Sequence, residues 1–180
     1  MAPPDWLLAL TIAALLAGLA VLCWQGVRLW RQRQRMLQAW RHLLDVVARR
    51  HAAIADVTAA DPALLGPLRG ALGELAAALV TARGLAGTPA QRGRAEQALT
   101  VAIDRWRAAA RAHPDVALDG ETARLSSTLG GTATVLETAA REYDLAAARL
   151  NRLRAAWPVR MIAPILGVGV AEAFWFDAAP

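Results

Sequence analysis

The sequence predicts an all-α protein: a single N-terminal transmembrane helix, then an elongated antiparallel up-and-down bundle of three to four helices. Three observations lead there. From Trp6 to Val27 run 22 consecutive residues without a charge. An arginine cluster follows at once, with Arg28, Arg31, Arg33, Arg35 and Arg41. The remaining stretch of about 150 residues suits one modest domain, dominated by Ala, Leu and Arg and too poor in β-branched and aromatic residues to build several strands.

The first element is the span, residues 6–27. At about 1.5 Å per residue it reaches roughly 33 Å, enough for a hydrocarbon core of about 30 Å. Trp6 and Trp24 stand at its two ends and Trp30 just beyond, where indole rings favour the wet interface. No acid follows Asp5 until Asp45, so the second flank is uniformly positive. The positive-inside rule then puts residues 1–5 outside and everything after the span in the cytoplasm. Arg28, Arg31, Arg33 and Arg35 read as orienting residues that also attract anionic lipid, at about 1 kcal/mol each. A cleaved signal peptide needs a basic region ahead of the apolar run, and only Asp5 stands there. Leu22 occupies the position before Cys23 where lipoprotein processing needs a small residue. The lone cysteine therefore reads as a buried apolar filler, and a disulfide within the chain is excluded. Ala14 and Gly18 have the small-xxx-small spacing that lets two such helices approach.

Four helical stretches fill residues 28–157. Leu37, Trp40, Leu44, Val47, His51, Ile54 and Thr58 recur at spacings of three and four, along one stripe of a helix continuous with the span. Asp61-Pro62 ends it, because proline disfavours helical geometry in the residue before it. Leu65, Leu68, Leu72, Leu75, Leu79, Ala82 and Ala86 form a second stripe, interrupted near its start by Gly66-Pro67. After Ala86-Gly87, Thr88 caps a third helix, with Pro89 in its first position and Gln91 completing a capping box. Its apolar face is Leu99, Ile103, Trp106, Ala110 and His113, and Pro114 closes it. Asp119 caps the fourth, whose stripe runs Leu125, Leu129, Thr132, Leu136, Ala139, Tyr143, Ala146, Leu150, Leu153 and Trp157 up to Pro158. Gly130-Gly131 within it costs roughly 1 kcal/mol per glycine relative to alanine and permits either a bend or a close contact. Short connections favour antiparallel neighbours with coiled-coil-like, left-handed packing. The first and fourth helices are the longest, and counting directions brings Trp157 back to the bilayer surface.

The tail, residues 158–180, is almost wholly apolar but broken by Pro164, Gly167 and Gly169, which argues against a second full span. Three readings stay open for it: it folds back on the bundle, it lies in the interface with Phe174, Trp175 and Phe176 at headgroup level, or those aromatic residues dock another membrane protein.

The search for chemistry returns little. There is no His-Glu-x-x-His, no Gly-x-Ser-x-Gly, no glycine loop with a lysine, and no Cys/His set for zinc. No catalytic residue, metal site, cofactor or small-molecule substrate is expected. His51 reads as a core histidine whose ring hydrogen-bonds across the bundle, and Trp40, Trp106 and Trp157 as packing residues. Gly167-x-Gly169 reads as a turn. The net charge of +5 and pI of about 11.1 raise nucleic acid as a partner. Outside the juxtamembrane cluster, however, arginines alternate with acids, as in the i,i+4 pair Glu137/Arg141, and no nucleic-acid motif accompanies them. That pattern is a solvated face.

Taken in order, the N-terminal span, Arg49-Arg50-His51, Thr81-Ala82-Arg83, Ala95-Glu96-Gln97-Ala98-Leu99, His113-Pro114-Asp115-Val116 and Glu137 to Leu150 form a combination that resembles the LemA family. The tail, with Pro158, Ile162-Ala163, Leu166-Gly167 and Ala171-Glu172-Ala173-Phe174, is similar to that family's closing motif. The chain departs from the pattern at Asp61-Pro62 and Gly66-Pro67, where the family tends to keep a longer first helix, and at Tyr143-Asp144, where Tyr-Asn is usual. The resemblance implies a helical bundle anchored in the bacterial inner membrane, in a family linked with envelope processes and membrane proteases, and it supplies no catalytic residues. The expectation is a non-enzymatic adaptor or scaffold whose partners are the bilayer and either another membrane protein or further copies of the chain.

Overall fold

The computed structural model describes residues 5–59, 66–113 and 120–174. Its helices are α1, Asp5–Thr58; α2, Arg69–Gly84; α3, Pro89–Ala112; α4, Gly120–Ala155; and the short α5, Val159–Ile162, with a 3-10 turn, Gly66–Leu68, ahead of α2. No strand occurs among the described residues. The predicted boundaries at Asp61-Pro62, Pro114 and Asp119, with Leu65, lie outside them.

α1 runs unbroken from the apolar stretch to Thr58, and with α4 it is the longest element, at 54 and 36 residues. Its most apolar window has a mean hydropathy of 2.5 and none of it is buried, which fits a membrane anchor. Cys23 is accordingly exposed rather than a buried filler, since the protein offers this stretch no core to enter.

The chain divides into two compact units, Met1–Leu37 with Ala146–Ala171, and Gln38–Leu145 with Glu172–Pro180. In the first, Leu29 of α1 packs with Leu150 of α4 and with Val159, Ala163 and Val168 of the returning segment. That segment turns at Gly167, whose φ of +64° is the left-handed region glycine adopts without strain. The side-chain amide of Asn151 holds it, donating to the Ala171 carbonyl at 2.8 Å and accepting from the Ala171 N–H at 2.9 Å. Arg154 Nε donates to the Val168 carbonyl at 3.0 Å. Fold-back is thus realised for the inward residues of the tail. Trp157, Met161, Ile165, Leu166 and Val170 stay exposed, Trp157 to 81% and Ile165 to 84%. Trp157 is therefore not a packing residue: α4 stops at Ala155, two positions short of it.

In the second unit, Ile54 and Val57 of α1, Leu68, Leu75 and Leu79, Leu99, Ile103 and Trp106 of α3, and Leu129 of α4 close one core. The α2–α3 hairpin forms because Leu85–Thr88 is short and α3 is capped as expected, with the Thr88 N–H donating to Gln91 Oε1 at 3.0 Å. The α1 stripe differs from the predicted one. His51 and Ile54 of the predicted stripe are buried, but its Leu44 and Val47 are only half-buried, and Leu43, Val46, Arg50 and Val57 are buried beside them. The sequence carries two overlapping apolar stripes one residue apart, about 100° around the helix, and an arginine in the middle of one hid it. His113 is exposed just past the end of α3 and joins no core. α4 continues without a break through Gly130-Gly131. A Cβ on Gly130 would sit 3.3 Å from the Arg107 guanidinium, whereas Gly131 faces open space. The predicted Glu137/Arg141 pair forms.

Candidate functional site

Two polar constellations stand out, one in each unit. In the first unit, Arg28, Arg31 and Arg35 recur at i, i+3 and i+7 and so share a face of α1. Arg149 and Arg152 share a face of α4. Together they line a groove of about 880 Å³, with Cys23, Trp24, Val27 and Leu153 as its apolar wall. The Arg28 guanidinium lies 5.8 Å from the Trp24 ring centroid. None of these five arginines enters an ion pair among the described residues. Of the chain's 20 arginines and 15 acids, this unit holds Arg28, Arg31, Arg33, Arg35, Arg149, Arg152, Arg154 and Arg160 against Asp5 alone. Its net side-chain charge is therefore +7 against +5 for the whole chain, which leaves −2 for the second unit. Arg33 points elsewhere and lines a smaller, apolar pocket of about 420 Å³ with Leu29, Trp30, Leu166 and Val168. Trp6, Trp24 and Trp30 are all exposed, as interface anchors must be.

In the second unit a buried polar cluster joins three helices. Glu96 on α3 accepts from Arg50 Nη1 at 3.1 Å, and His51 Nε2 lies 2.7 Å from its other oxygen. Arg50 also donates to Thr100 Oγ1 at 2.7 Å, and Arg83 of α2 donates to the His51 carbonyl at 3.0 Å. Burial pulls the Arg50 guanidinium below its ordinary pKa, while the charges of Glu96 and Asp104 and the hydrogen bond to Glu96 oppose the shift. It remains a cation, since arginine does not lose its proton in proteins. A cleft of about 290 Å³ beside this cluster is lined by His51, Arg83, Arg92, Glu96 and Phe174 among others.

The tail closes that cleft from one side. Phe174 is 1% exposed, and its N–H donates to Asp144 Oδ1 at 2.6 Å. Its ring lies 6.3 Å from Trp40, which is 5.0 Å from Tyr143. The Tyr143 hydroxyl donates to the Glu172 carbonyl at 2.8 Å. Phe174 is thus an interior residue rather than a free contact for a partner or a bilayer, because Gly93 lets its backbone approach α3 closely. Trp175 and Phe176 lie outside the described residues. Desolvation, then the charges of Asp144 and Glu172, push the Tyr143 hydroxyl up to about 12.

His51 hydrogen-bonds across the bundle as expected. Sequence reasoning missed Arg50, Glu96, Arg149 and Arg152. For Glu96 a signal existed: it stands three residues before Leu99 and seven before Ile103, on the stripe already read as apolar. For the α4 pair, the absence of any acid from Ala146 to Ala171 was the available clue. Among the described residues no group of three or more His, Cys, Asp or Glu side chains is placed to hold a metal. Residues 41–180 match the LemA family. No curated protein matches the chain.

Proposed function

The chain belongs to the LemA family, and on that premise we propose a single-pass protein of the bacterial cytoplasmic membrane, its N-terminus outside and its helical bundle inside, acting without catalysis as an adaptor for other membrane proteins. The observation that carries this reading is the division of chemistry between the units. The apolar helix, eight arginines and the exposed Trp157, Ile165 and Val170 fall in one, and the mildly acidic bundle in the other. Uncovered apolar side chains next to a cationic collar suit the boundary of acyl chains and headgroups. The positive flank favours retention on the cytoplasmic side. The bundle's buried Arg50 is paired with its buried Glu96, so the surface proposed for a partner is the outer helix faces.

The test is extraction of native membranes in a mild detergent after crosslinking, with mass analysis of what stays with the chain in fixed ratio. A stoichiometric second protein is the expected result. Recovery of this chain alone as a discrete oligomer would replace the adaptor with a self-assembling scaffold, for which Gly18 leaves open space on α1. A lone monomer would sink both.

A further inference from the structure

We propose that the arginine groove of the first unit is a binding site for the headgroup of an anionic phospholipid, formed jointly by α1 and α4. The site rests on reading α1 as a membrane anchor and adds to that reading a defined ligand.

The first argument is electrostatic. Arg28, Arg31 and Arg35 face Arg149 and Arg152 across one groove with no carboxylate paired to any of them. Like charges brought together repel, and the repulsion is relieved only by an anion or by water and salt. Guanidinium groups present planar forks that match phosphate oxygens two at a time, so arms from two helices hold one phosphate in a defined orientation.

The second argument is position. The uncharged run ends at Val27 and the first arginine is Arg28, so the groove opens at the depth where hydrocarbon gives way to headgroups. Its wall changes character in the same direction, from Trp24 and Val27 to the guanidiniums. A free phosphate ion would gain nothing from that apolar wall, whereas a phospholipid has acyl chains to lay against it. The volume, about 880 Å³, is in the range of sites that hold a whole small ligand rather than a single ion. Arg149 and Arg152 lie more than 110 positions beyond the span in the sequence and reach the groove only because Leu150 packs on Leu29. Bound lipid would therefore also brace α4 against α1.

The experiment uses the full chain, purified in an uncharged detergent and titrated with phosphatidylglycerol or phosphatidylcholine, with retained lipid counted by native mass spectrometry. Phosphatidylglycerol is expected to stay bound and phosphatidylcholine to wash away. The double substitution Arg149→Gln/Arg152→Gln should weaken phosphatidylglycerol binding by about tenfold or more, and Arg149→Lys/Arg152→Lys should restore part of it. Arg124→Gln/Arg160→Gln removes the same charge outside the groove and should cost less than about twofold. Equal losses from the two glutamine pairs would overturn the site in favour of diffuse attraction. So would displacement of the lipid by excess inorganic phosphate, or indifference to headgroup charge. A parallel carbonate wash of membranes separates the two readings. Protein that leaves the membrane refutes the anchor and the site together, while protein that stays but loses lipid selectivity refutes the site alone.

Discussion

Arg50 has no exposed surface, and its charge is tolerated because Glu96 supplies a carboxylate at 3.1 Å and Thr100 a hydroxyl at 2.7 Å. Removing one partner of such a pair leaves a buried charge without compensation. Glu96→Ala should therefore lower stability by about 3–5 kcal/mol, read by denaturant unfolding of the full chain in detergent, and Arg50→Met in the same molecule should recover much of it. A loss below about 1 kcal/mol would mean that water already reaches the guanidinium. The chain has a single tyrosine, so its phenolate absorbance titrates one group. Tyr143 holds its proton up to about 12 in the folded protein, against about 10 in an unfolded chain. A raised pKa contributes stability that is complete below about pH 10 and disappears as the pH rises toward about 12. Alkaline unfolding should begin in that window, and Tyr143→Phe should remove the ionisation step. A midpoint near 10 in the folded state would contradict the burial of the hydroxyl against Glu172.

Helices were the legible part of this chain, because their signals are local. Thr88, Pro89 and Gln91 announce the start of α3 within four residues, and the spacing of Leu75 and Leu79 identifies the buried face of α2. What the sequence hid depends on which face a neighbour covers. The α1 stripe through Leu43, Val46 and Arg50 looked broken until Glu96 arrived from another helix to neutralise the arginine. Phe174 stayed open between packing on the bundle and contact with a bilayer or partner, because nothing near it in sequence says that Gly93 leaves room for its backbone. Gly130 and Gly131 were ambiguous for the same reason, and the structure separates them. Gly131→Ala adds a methyl into open space in a continuous helix and should raise stability by roughly 0.5–1 kcal/mol, measured by thermal unfolding. Gly130→Ala should gain less, because the Arg107 guanidinium must first move aside. Destabilisation by Gly131→Ala would show that its face is covered, as it would be by another copy of the chain.

At the scale of the molecule the charge is divided by fold rather than by sequence half. Four arginines of the first unit follow the span directly, and four arrive from around α4 once the chain has folded. The two sets act at different times. Orientation is decided during insertion by basic residues within about 15–20 positions of the span, before α4 can pack on α1. Substituting Arg28, Arg31, Arg33 and Arg35 by Gln should therefore produce a mixed population of orientations. The readout is a pair of C-terminal reporter fusions, one active only in the cytoplasm and the other only outside it. Substituting Arg149, Arg152, Arg154 and Arg160 by Gln removes the same charge from the same unit and should leave orientation unchanged, with the cytoplasmic reporter alone active. If the second set also scrambled orientation, insertion would have to wait for the folded unit, and the arginine groove would be a determinant of topology rather than a site filled afterwards. If neither set did, the direction of the span would rest on its apolar length and the translocated residues before it, and the positive flank would act on lipid alone.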